Sequence, residues 1–444
     1  MSIFNLPDGW VVVSTQSVFS QIPTTDKKIQ TKSCLPFGRF PVIDQGQQEI
    51  SGFCDDETKV ISSDKPIVIF GDHTRVIKWV RKDFVPGADG TKVLVANDGV
   101  EPKYFFYQLR SIELPDKGYA RHFKFLNDSE FVVAPLAEQQ QIAQKLDELL
   151  AQVDTLKTRL DAIPKILKRF RQSVLAAAVS GRLTEEWRGS DEYEFIDESF
   201  SIPSGWAKKM ISDVCEYITS GSRGWADYYS DSGSLFIRSQ DINTDELVIN
   251  DAAYVSLPEG AEGKRTKIKK EDLLITITGA NVTKCARVKI ELADAYVSQH
   301  VALIRLNDAE LSPFVEKALK AQNAGRKQLL GYAYGGGKPG LNLQNIKDVI
   351  IGIPSKEEQT EIVRRVEQLF AYADQLEQRV KDAQARVNHL TQSILAKAFR
   401  GELTAEWRAQ NPELISGENS AAALLERIKA EREATAKPKR KVKA

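Results

Sequence analysis

Residues 138–188 read EQQQIAQKLDELLAQVDTLKTRLDAIPKILKRFRQSVLAAAVSGRLTEEWR, and residues 358–408 read EQTEIVRRVEQLFAYADQLEQRVKDAQARVNHLTQSILAKAFRGELTAEWR. At a fixed offset of 220 and without a gap, more than a third of these 51 positions are identical. Chance would match roughly three of them at average residue frequencies. The chain therefore contains an internal repeat, and this repeat decides its architecture.

A second pair of matching marks lies upstream of the two copies. Residues 7–10 (PDGW) match residues 203–206 (PSGW) at an offset of 196. Since 220 − 196 = 24, the second intervening segment is 24 residues longer than the first. Between these marks the two segments show little mutual similarity. Each repeat unit therefore has similar sequence at its ends and a different sequence between them.

Apolar residues in both copies recur in alternating steps of four and three residues. Such a rhythm over more than four heptads predicts coiled-coil packing. The predicted seam consists of Ile142, Leu146, Leu149, Val153, Leu156, Leu160, Ile163, Leu167, Phe170 and Val174, and of Ile362, Val366, Leu369, Ala373, Leu376, Val380, Ala383, Val387, Leu390 and Ile394. Pro164 removes a helix hydrogen bond and predicts a kink or short break near residue 163. Gly181 and Gly401 fit helix C-terminal caps.

The matched seams favour pairing of the two helices with each other over two independent helices on separate domains. The second helix must return along the first, so the pair is predicted to be antiparallel, with pseudo-twofold symmetry and the C-terminal tail returning near the N-terminus. The first seam covers 33 residues, or about 50 Å at 1.5 Å per residue. That length is comparable with one to one and a half turns of B-DNA. Two different domains held at a fixed distance suit a two-part DNA site.

The globular segments at residues 1–135 and 191–354 are predicted to be mixed α/β domains. Strand-like stretches in the first occupy residues 67–70, 76–80 and 92–95, and in the second residues 235–238, 273–278 and 301–306. Helices are expected at 102–112 and 313–323. The predicted fold class is α+β, with two α/β domains joined by two long helices at 136–190 and 355–408. A tail at 409–444 follows, whose basic end (437–443, KPKRKVK) is expected to be disordered.

Several loops of both domains combine glycine with polar, basic and aromatic residues. They occupy residues 71–75, 118–124, 220–225, 279–284 and 335–342. Such loops can bring backbone amides and Arg, Lys or Asn side chains to phosphates and base edges, although each one taken singly is better explained as an ordinary solvated turn. The candidate DNA-binding residues are His73, Arg75, Lys78, Arg121, His122, Lys124, Ser222, Arg223, Trp225, Arg238, Asn281, Lys284, Lys338 and Asn342.

Composition excludes several classes of protein. Because 61 Lys and Arg balance 61 Asp and Glu, the chain is not strongly basic, although local basic faces can still bind DNA. No apolar run approaches the ~18 residues of a membrane span, and the N-terminus lacks a signal-peptide pattern. Four cysteines without a C-x-x-C pair and four scattered histidines favour neither a disulfide framework nor a metal site. A cytoplasmic protein with no cofactor of its own and no membrane contact is expected.

No catalytic constellation is visible. Residues 331–338 superficially resemble a phosphate loop, but Tyr332 and Pro339 stand where the motif needs Gly and Ser or Thr. The N-P-P-Y tetrapeptide of amino-methyltransferases is missing from the sequence. Two acidic patterns have the loose spacing of a nuclease metal site, which 61 acidic residues also produce by chance: Asp251 with Glu262 and Lys264, and Asp44 with Glu57 and Lys59.

Together these features resemble the specificity subunit of type I restriction–modification systems. The resemblance rests on the P-x-G-W openings, on PLAEQ (135–139) and PSKEEQ (354–359), on Q-S-[VI]-L-A, and on G-x-L-T-x-E-W-R at both repeat ends. The second domain adds GSRGWADYYSDSGSLFIRSQDI (221–242), ITGANV (277–282), SQHVALI (298–304) and KPGLNLQNIKDVIIGIP (338–354). The first domain lacks the last pattern, so it is expected to belong to a different recognition-domain subtype.

The resemblance implies a non-catalytic subunit with two target-recognition domains. Each would read one half of an asymmetric bipartite site in double-stranded DNA. Two modification subunits would dock on the helices and methylate adenine N6 with S-adenosylmethionine, and two restriction subunits would add an ATP- and Mg-dependent motor nuclease. Two other readings stay open from the residues alone, namely a coiled-coil scaffold presenting two binding domains to non-DNA ligands, and a self-contained nuclease using either acidic pattern.

Overall fold

The computed structural model describes residues 6–118, 120–197, 200–258, 263, 265–335, 337 and 339–435. The chain divides into two compact units. Unit 1 comprises Met1–Asp161 and Asp382–Ala444, and unit 2 comprises Ala162–Lys381. Each unit therefore contains one globular domain and part of both long helical segments.

The strands are short, as expected for domains with many turns. They are β1 Val11–Ser14, β2 Phe19–Ile22, β3 Phe40–Ile43, β4 Gly52–Cys54, β5 Ile67–Gly71, β6 Ile77–Val80, β7 Val85–Pro86, β8 Thr91–Ala96, β9 Glu130–Val133, β10 Tyr193–Asp197, β11 Phe200–Pro203, β12 Ala207–Met210, β13 Cys215–Ser220, β14 Tyr229–Ser230, β15 Ser234–Ile237, β16 Tyr254–Val255, β17 Leu273–Thr276, β18 Cys285–Arg287, β19 Ala295–Val297, β20 Val301–Leu306 and β21 Ile350–Ile353.

The helices fall into two classes, with two very long ones among short ones. They are α1 Pro102–Ser111, α2 Phe123–Asp128, α3 Leu136–Val179, α4 Glu185–Arg188, α5 Ile211–Val214, α6 Ser312–Lys320, α7 Gly325–Tyr332, α8 Leu343–Lys347, α9 Lys356–Phe399, α10 Ala405–Gln410 and α11 Ala421–Thr435. The helices predicted at 102–112 and 313–323 are confirmed as α1 and α6, with ends shifted by up to three residues.

Unit 1 is built on an antiparallel sheet with strand order β2-β8-β5-β6. All five residues of β5 are buried, which explains its continuous apolar sequence. A smaller sheet, β4-β3-β7, and the pair β1-β9 complete the domain. Helix α1 contributes Tyr104, Phe105 and Leu109 to the main core of the unit.

Unit 2 contains two four-stranded sheets, β13-β20-β17-β18 and β14-β16-β15-β19. All their pairings are antiparallel except that of β15 with β19. The unit also contains the two-stranded pairs β10-β11 and β12-β21. In the core, Trp206 packs edge-on against Phe314 of α6, with ring centroids 5.8 Å apart.

Within each unit, the parts of α3 and α9 that it contains run antiparallel. In unit 1, Lys145 Nζ donates to the Leu403 carbonyl at 3.1 Å and Gln384 Nε2 donates to Asp161 at 2.8 Å. In unit 2, Arg171 forms an ion pair with Asp374 at 2.6 Å, and Arg365 Nη1 donates to the Leu183 carbonyl at 2.8 Å. The partner number falls as the residue number rises, which confirms the predicted antiparallel pairing.

Of the kink or short break predicted near residue 163, the break is wrong, because α3 is one helix of 44 residues with Pro164 inside it; the kink stays a prediction. Pro164 lies on the exposed face. A carbonyl freed by the missing amide can bond to water there, so the helix continues at the loss of one hydrogen bond.

The predicted seam is buried only in part. Ile142 and Leu146 pack in the domain core of unit 1, and Ile362 and Val366 pack in that of unit 2, so the stripe at the start of each helix belongs to a domain core. The central seam residues Val153, Leu167, Ala373 and Val380 are buried, whereas Leu149, Leu160, Ile163, Phe170, Leu369, Leu376, Ala383, Val387 and Ile394 are half-buried. Leu156 is 45% exposed and Leu390 is 40% exposed, so the seam prediction is wrong for these two residues.

The C-terminal tail returns to the N-terminal domain, as predicted. Helix α11 places Ala421, Leu424 and Ile428 in the same core as Trp10. Most of residues 409–435 is therefore built into unit 1. The basic end at 437–443 lies outside the described residues.

Candidate functional site

In unit 1, residues from the repeated motifs converge on one buried carboxylate. Glu138, in the first turn of α3, is fully buried. It accepts hydrogen bonds from Trp10 Nε1 at 2.8 Å, Thr404 Oγ1 at 2.7 Å and Arg408 Nε at 2.9 Å. The opening motif, the start of α3 and the segment after α9 are therefore tied together by one charge.

Unit 2 repeats this junction with the roles of the long helices exchanged. Glu358, in the first turn of α9, accepts from Trp206 Nε1 at 2.9 Å, from Thr184 Oγ1 at 2.8 Å and from Arg188 Nη1 at 2.8 Å. Glu358 is 4% exposed. Each long helix thus starts at one junction and ends beside the equivalent residues of the other. A buried carboxylate is tolerated here because an arginine and two neutral donors satisfy it.

The glycine of each G-x-L-T-x-E-W-R motif allows the P-x-G-W motif to pack closely against it. Gly181 and Gly401 have φ values of +74° and +77°, the left-handed conformation of a helix C-terminal cap, which confirms that prediction. A Cβ atom on Gly181 would lie 2.2 Å from Pro203, and one on Gly401 would lie 2.2 Å from Pro7. The proline of the P-x-G-W motif and the glycine of the G-x-L-T-x-E-W-R motif therefore form one packing contact in each unit. The sequence-distant motif residues form two equivalent joints, one in each unit, and each joint attaches a domain to the helical segments of its own unit.

The glycine-rich loops of the second domain converge at one end of its sheets. A Cβ atom on Gly221 would lie 2.1 Å from the carbonyl oxygen of Val297. The backbone amide of Ile277 donates to the His300 carbonyl at 2.9 Å, and the amide of Gly279 donates to the Pro339 carbonyl at 2.9 Å. Four stretches that are separate in sequence, around residues 221, 279, 298 and 340, therefore form one loop surface.

Most predicted side chains of this surface are engaged within the protein. Lys284 pairs with Asp245 at 3.0 Å, Arg238 pairs with Asp241 at 3.5 Å, and Asn281 Nδ2 donates to a backbone carbonyl at 3.4 Å. The side chain of Asn342 caps α8. Their contacts with DNA stay a prediction.

Trp225 is 5% exposed and stacks on Phe236 with ring centroids 5.9 Å apart. It packs in an apolar cluster of the domain, so burial argues against its predicted DNA contact, which stays untested. Arg223 is exposed and Ser222 is half-buried on the same loop. Lys338 lies outside the described residues.

In the first domain, the loops around residues 73 and 121 line a cleft of about 440 Å³. Its basic side chains are Lys28, Lys92, Arg121 and His73, and its acidic ones are Asp72 and Asp89. Lys92 projects from β8 and also lies 5.1 Å from the centroid of the Phe123 ring. The cleft combines cationic groups with hydrogen-bonding side chains, the residue types that contact phosphates and base edges.

The structure separates the predicted residues of this domain into two groups. Arg121 and Lys124 are exposed, and Arg75 is held by Asp116 at 3.2 Å. His122 is 1% exposed and Lys78 is 9% exposed, so burial argues against a DNA contact by these two side chains, which stays an untested prediction.

Lys78 is occupied because its Nζ donates to the Gln48 carbonyl at 2.5 Å and lies 3.7 Å from Asp44. Burial lowers the pKa of Lys78 despite the opposing charge of Asp44. Sequence reasoning missed Lys28 and Lys92. Lys92 interrupts an apolar strand, TKVLVA, and that interruption was the available signal.

A buried charge network connects α6 of the second domain to its neighbours. Glu316 is 2% exposed and pairs with Lys320 at 2.7 Å and Arg287 at 3.3 Å. Burial raises the pKa of Glu316, but the charges of Lys320, Lys317 and Arg287 and the hydrogen bond from Lys320 together lower that pKa to about 2. The carboxylate is therefore held ionised in the core.

Among the described residues, no three His, Cys, Asp or Glu side chains come together to hold a metal ion. Of the two acidic patterns, Glu262 and Lys264 lie outside the described residues, and Glu57 is engaged by Arg39. In the same described part of the chain, no helix is both long and apolar enough to cross a membrane.

Comparison with known proteins finds relatives that are all described as type I specificity domains or subunits. The model of the type I restriction modification DNA specificity domain matches residues 203–384. The chain is 46% identical over 316 residues to the EcoBI specificity subunit of Escherichia coli, a stretch covering 70% of this chain and 66% of that one. It is 42% identical to the EcoKI specificity subunit of Escherichia coli strain K12 over 68% of this chain and 64% of that one. The chain thus spans slightly less than two thirds of these two relatives.

Solved structures share the fold. A chain from a study of complex assembly and conformational transition of the type I R-M system has a TM-score of 0.61 at 18% identity, covering 90% of this chain and 100% of that one. The HsdS subunit from Thermoanaerobacter tengcongensis has a TM-score of 0.54 at 20% identity, over 90% of this chain and 99% of that one.

A further relative decides the family. The EcoDI specificity subunit of Escherichia coli is 37% identical over 330 residues, which cover 70% of this chain and 70% of that one. Similarity of this extent agrees with the duplicated junctions and the two loop-bearing domains. The chain belongs to the family of type I restriction enzyme specificity subunits.

Proposed function

We propose that this chain selects the DNA sequence on which a type I restriction–modification complex acts. Each globular domain reads one half of an asymmetric bipartite site, and the paired helices set the spacing of the halves. The observation that carries this proposal is the duplicated junction. Glu138 and Glu358 each fix one domain to the helical segments of its own unit through a tryptophan, a threonine and an arginine. Two equivalent joints that carry unlike domains suit two different half-sites.

The DNA-facing surfaces are the loop surface of the second domain and the cleft of the first. The loop surface of the second domain uses Ser222, Arg223, Arg238, Asn281, Lys284, Lys338 and Asn342. The cleft of the first domain uses His73, Arg75, Arg121, Lys124, Lys28 and Lys92. Supporting this assignment, Arg121 and Arg223 are exposed at loop positions, where basic side chains reach phosphates and base edges.

The chemistry belongs to partner subunits. Two modification subunits dock on the helices and methylate adenine N6 with S-adenosylmethionine, and two restriction subunits add ATP- and Mg-dependent cleavage. The chain itself acts in the cytoplasm without a bound cofactor. Its balance of 61 basic and 61 acidic residues fits a subunit whose partners supply many of the phosphate contacts.

The test is a genome-wide map of N6-methyladenine in the source strain with and without this gene. Loss of one motif with two defined halves and a fixed gap, methylated on both strands, is the expected result. If no motif disappears although a modification subunit is expressed, the proposed function is wrong.

A further inference from the structure

A β-hairpin of the first domain presents an exposed polar tip. The hairpin is formed by β3 and β4, which pair antiparallel, and its tip comprises residues 44–51. Gln47, Gln48 and Glu49 are exposed there. Among the described residues, none forms a hydrogen bond with the side-chain amide of Gln47 or Gln48. Two amide groups at the tip are therefore free to bind a ligand of the domain.

The base of this tip adjoins the cleft of the first domain. Gln45 lines that cleft, and its Oε1 accepts from the backbone amide of His73 at 3.0 Å. The Gln45 carbonyl accepts from Thr74 Oγ1 at 2.5 Å, and a Cβ atom on Gly90 would lie 2.5 Å from Gln45 Oε1. The hairpin is therefore packed against the loop at residues 71–75 and continues the surface of the cleft.

Lys78 of β6 holds the tip from the protein side. Its Nζ donates to the Gln48 carbonyl at 2.5 Å and lies 3.7 Å from Asp44, so it contacts both ends of the tip. Burying a lysine, which here is 9% exposed, costs free energy unless its charge is satisfied. The buried ammonium group therefore fixes the backbone that carries Gln47 and Gln48, while both amide side chains stay exposed.

The composition of the tip favours bases over phosphates as its ligand. Residues 44–51 (DQGQQEIS) contain no lysine or arginine, the residues that neutralise phosphate charge. The adjoining cleft supplies such cations through Lys28, Lys92 and Arg121. A glutamine amide, in contrast, offers an acceptor and a donor that match the N6 amino group and N7 of adenine. The major groove of DNA also admits a two-stranded β-ribbon.

We propose that this hairpin tip recognises an A·T pair in the half-site that the first domain reads (the first half-site). Gln47 and Gln48 contact the adenine in the major groove, and Lys78 is a positioning residue. The inference rests on the proposed function. The recognised pair is not the methylated one, because an adenine that undergoes chemistry leaves the base stack.

The experiment measures how tightly the complex of the full chain and its modification subunit binds DNA duplexes at one salt concentration. One duplex carries the genomic methylation motif, and in the others each A·T pair of the first half-site is replaced in turn by G·C. The wild-type complex should bind the replaced duplex more weakly, by about 5- to 150-fold for a bidentate contact. In Gln47→Ala/Gln48→Ala, this discrimination should disappear at one A·T pair outside the methylated position and persist in the second half.

Lys78→Met tests the positioning role, because it keeps a long side chain but removes the donor to the Gln48 carbonyl. Discrimination should fall at the same A·T pair as in the double glutamine variant. Hydrogen exchange in α1 verifies that the domain is folded. An equal loss at every pair of the first half-site would show that Lys78 only stabilises the domain, and its positioning role would be overturned.

Gln16→Ala is the matched control, since Gln16 is an exposed glutamine of the same domain outside the hairpin and the cleft lining. It should change no base preference. If the folded double variant keeps full discrimination at every A·T pair, or binds all duplexes more weakly by the same factor, base readout by the hairpin is overturned and the proposed function stands. If the wild-type complex prefers no two-part sequence, the proposed function itself is overturned.

Discussion

Replacing Glu138 by glutamine should loosen unit 1 and leave unit 2 unchanged. The carboxylate accepts three hydrogen bonds, from Trp10, Thr404 and Arg408. The amide oxygen of glutamine cannot serve all three donors, and its NH₂ group faces donors. Breaking a buried ion pair by removing one partner costs about 3–5 kcal/mol, and we expect a loss near the lower limit of about 3 kcal/mol because the substitution preserves shape.

Hydrogen exchange followed by mass spectrometry measures this loss, because it reports each unit separately in a chain that need not unfold in one step. Protection in α1 should fall by about 100-fold or more in Glu138→Gln, whereas protection in α6 stays constant. Glu358→Gln should give the reverse pattern with a similar magnitude. Glu148→Gln, an exposed glutamate of the same helix, is the matched control and should change neither. A loss below about 1 kcal/mol, or an equal loss in both units, would refute this account of the junctions.

Three further predictions concern the motif glycines, the buried charge network and the helices. Gly181→Ala and Gly401→Ala should destabilise their units by about 2 kcal/mol or more, since each Cβ would lie 2.2 Å from a proline. The control is Gly189→Ala, which should cost only about 1 kcal/mol, because Gly189 has a φ of +69° and nothing lies within 4 Å of its Cβ. Equal losses of unfolding free energy in denaturant titrations would contradict the packing argument. Because the pKa of Glu316 falls from 4.5 to about 2 on folding, its contribution to the stability of unit 2 is present above about pH 4.5 and is lost as the pH falls toward 2; Glu316→Gln should flatten the pH dependence of unfolding in that window, and an unchanged profile would sink the idea. Inserting one heptad into each long helix adds about 10 Å, or roughly three base pairs, so the methylated motif should keep its halves and gain a longer gap; a constant gap would show that the helices do not set it.

The repeat made the frame of this protein predictable. Heptad spacing predicts two long helices, and matched copies predict that they pair, since a periodic apolar stripe must be covered. The same reasoning failed at Leu156 and Leu390, which are exposed, because periodicity alone does not measure how closely two helices approach. The break expected at Pro164 is also wrong, because one lost hydrogen bond is small against the packing of a helix of 44 residues.

The junctions were visible as motifs but not as contacts. Nothing in the sequence says that Glu138 meets Arg408, which lies 270 positions away, because the pairing depends on the return of the chain after α9. The loop residues were less predictable still. His122 and Trp225 belong to residue types that bind DNA, yet both are buried, and the burial of a loop side chain is decided by tertiary packing that loop composition does not encode.

The central claim is that the two globular domains recognise DNA independently of each other and are attached to a repeated helical scaffold. Its most direct test is to replace residues 1–135 with the corresponding domain of another family member and to map N6-methyladenine across the genome. We predict that one half of the methylated motif changes while the other half and the gap are retained. A change in both halves, or in neither although methylation persists, would contradict the claim.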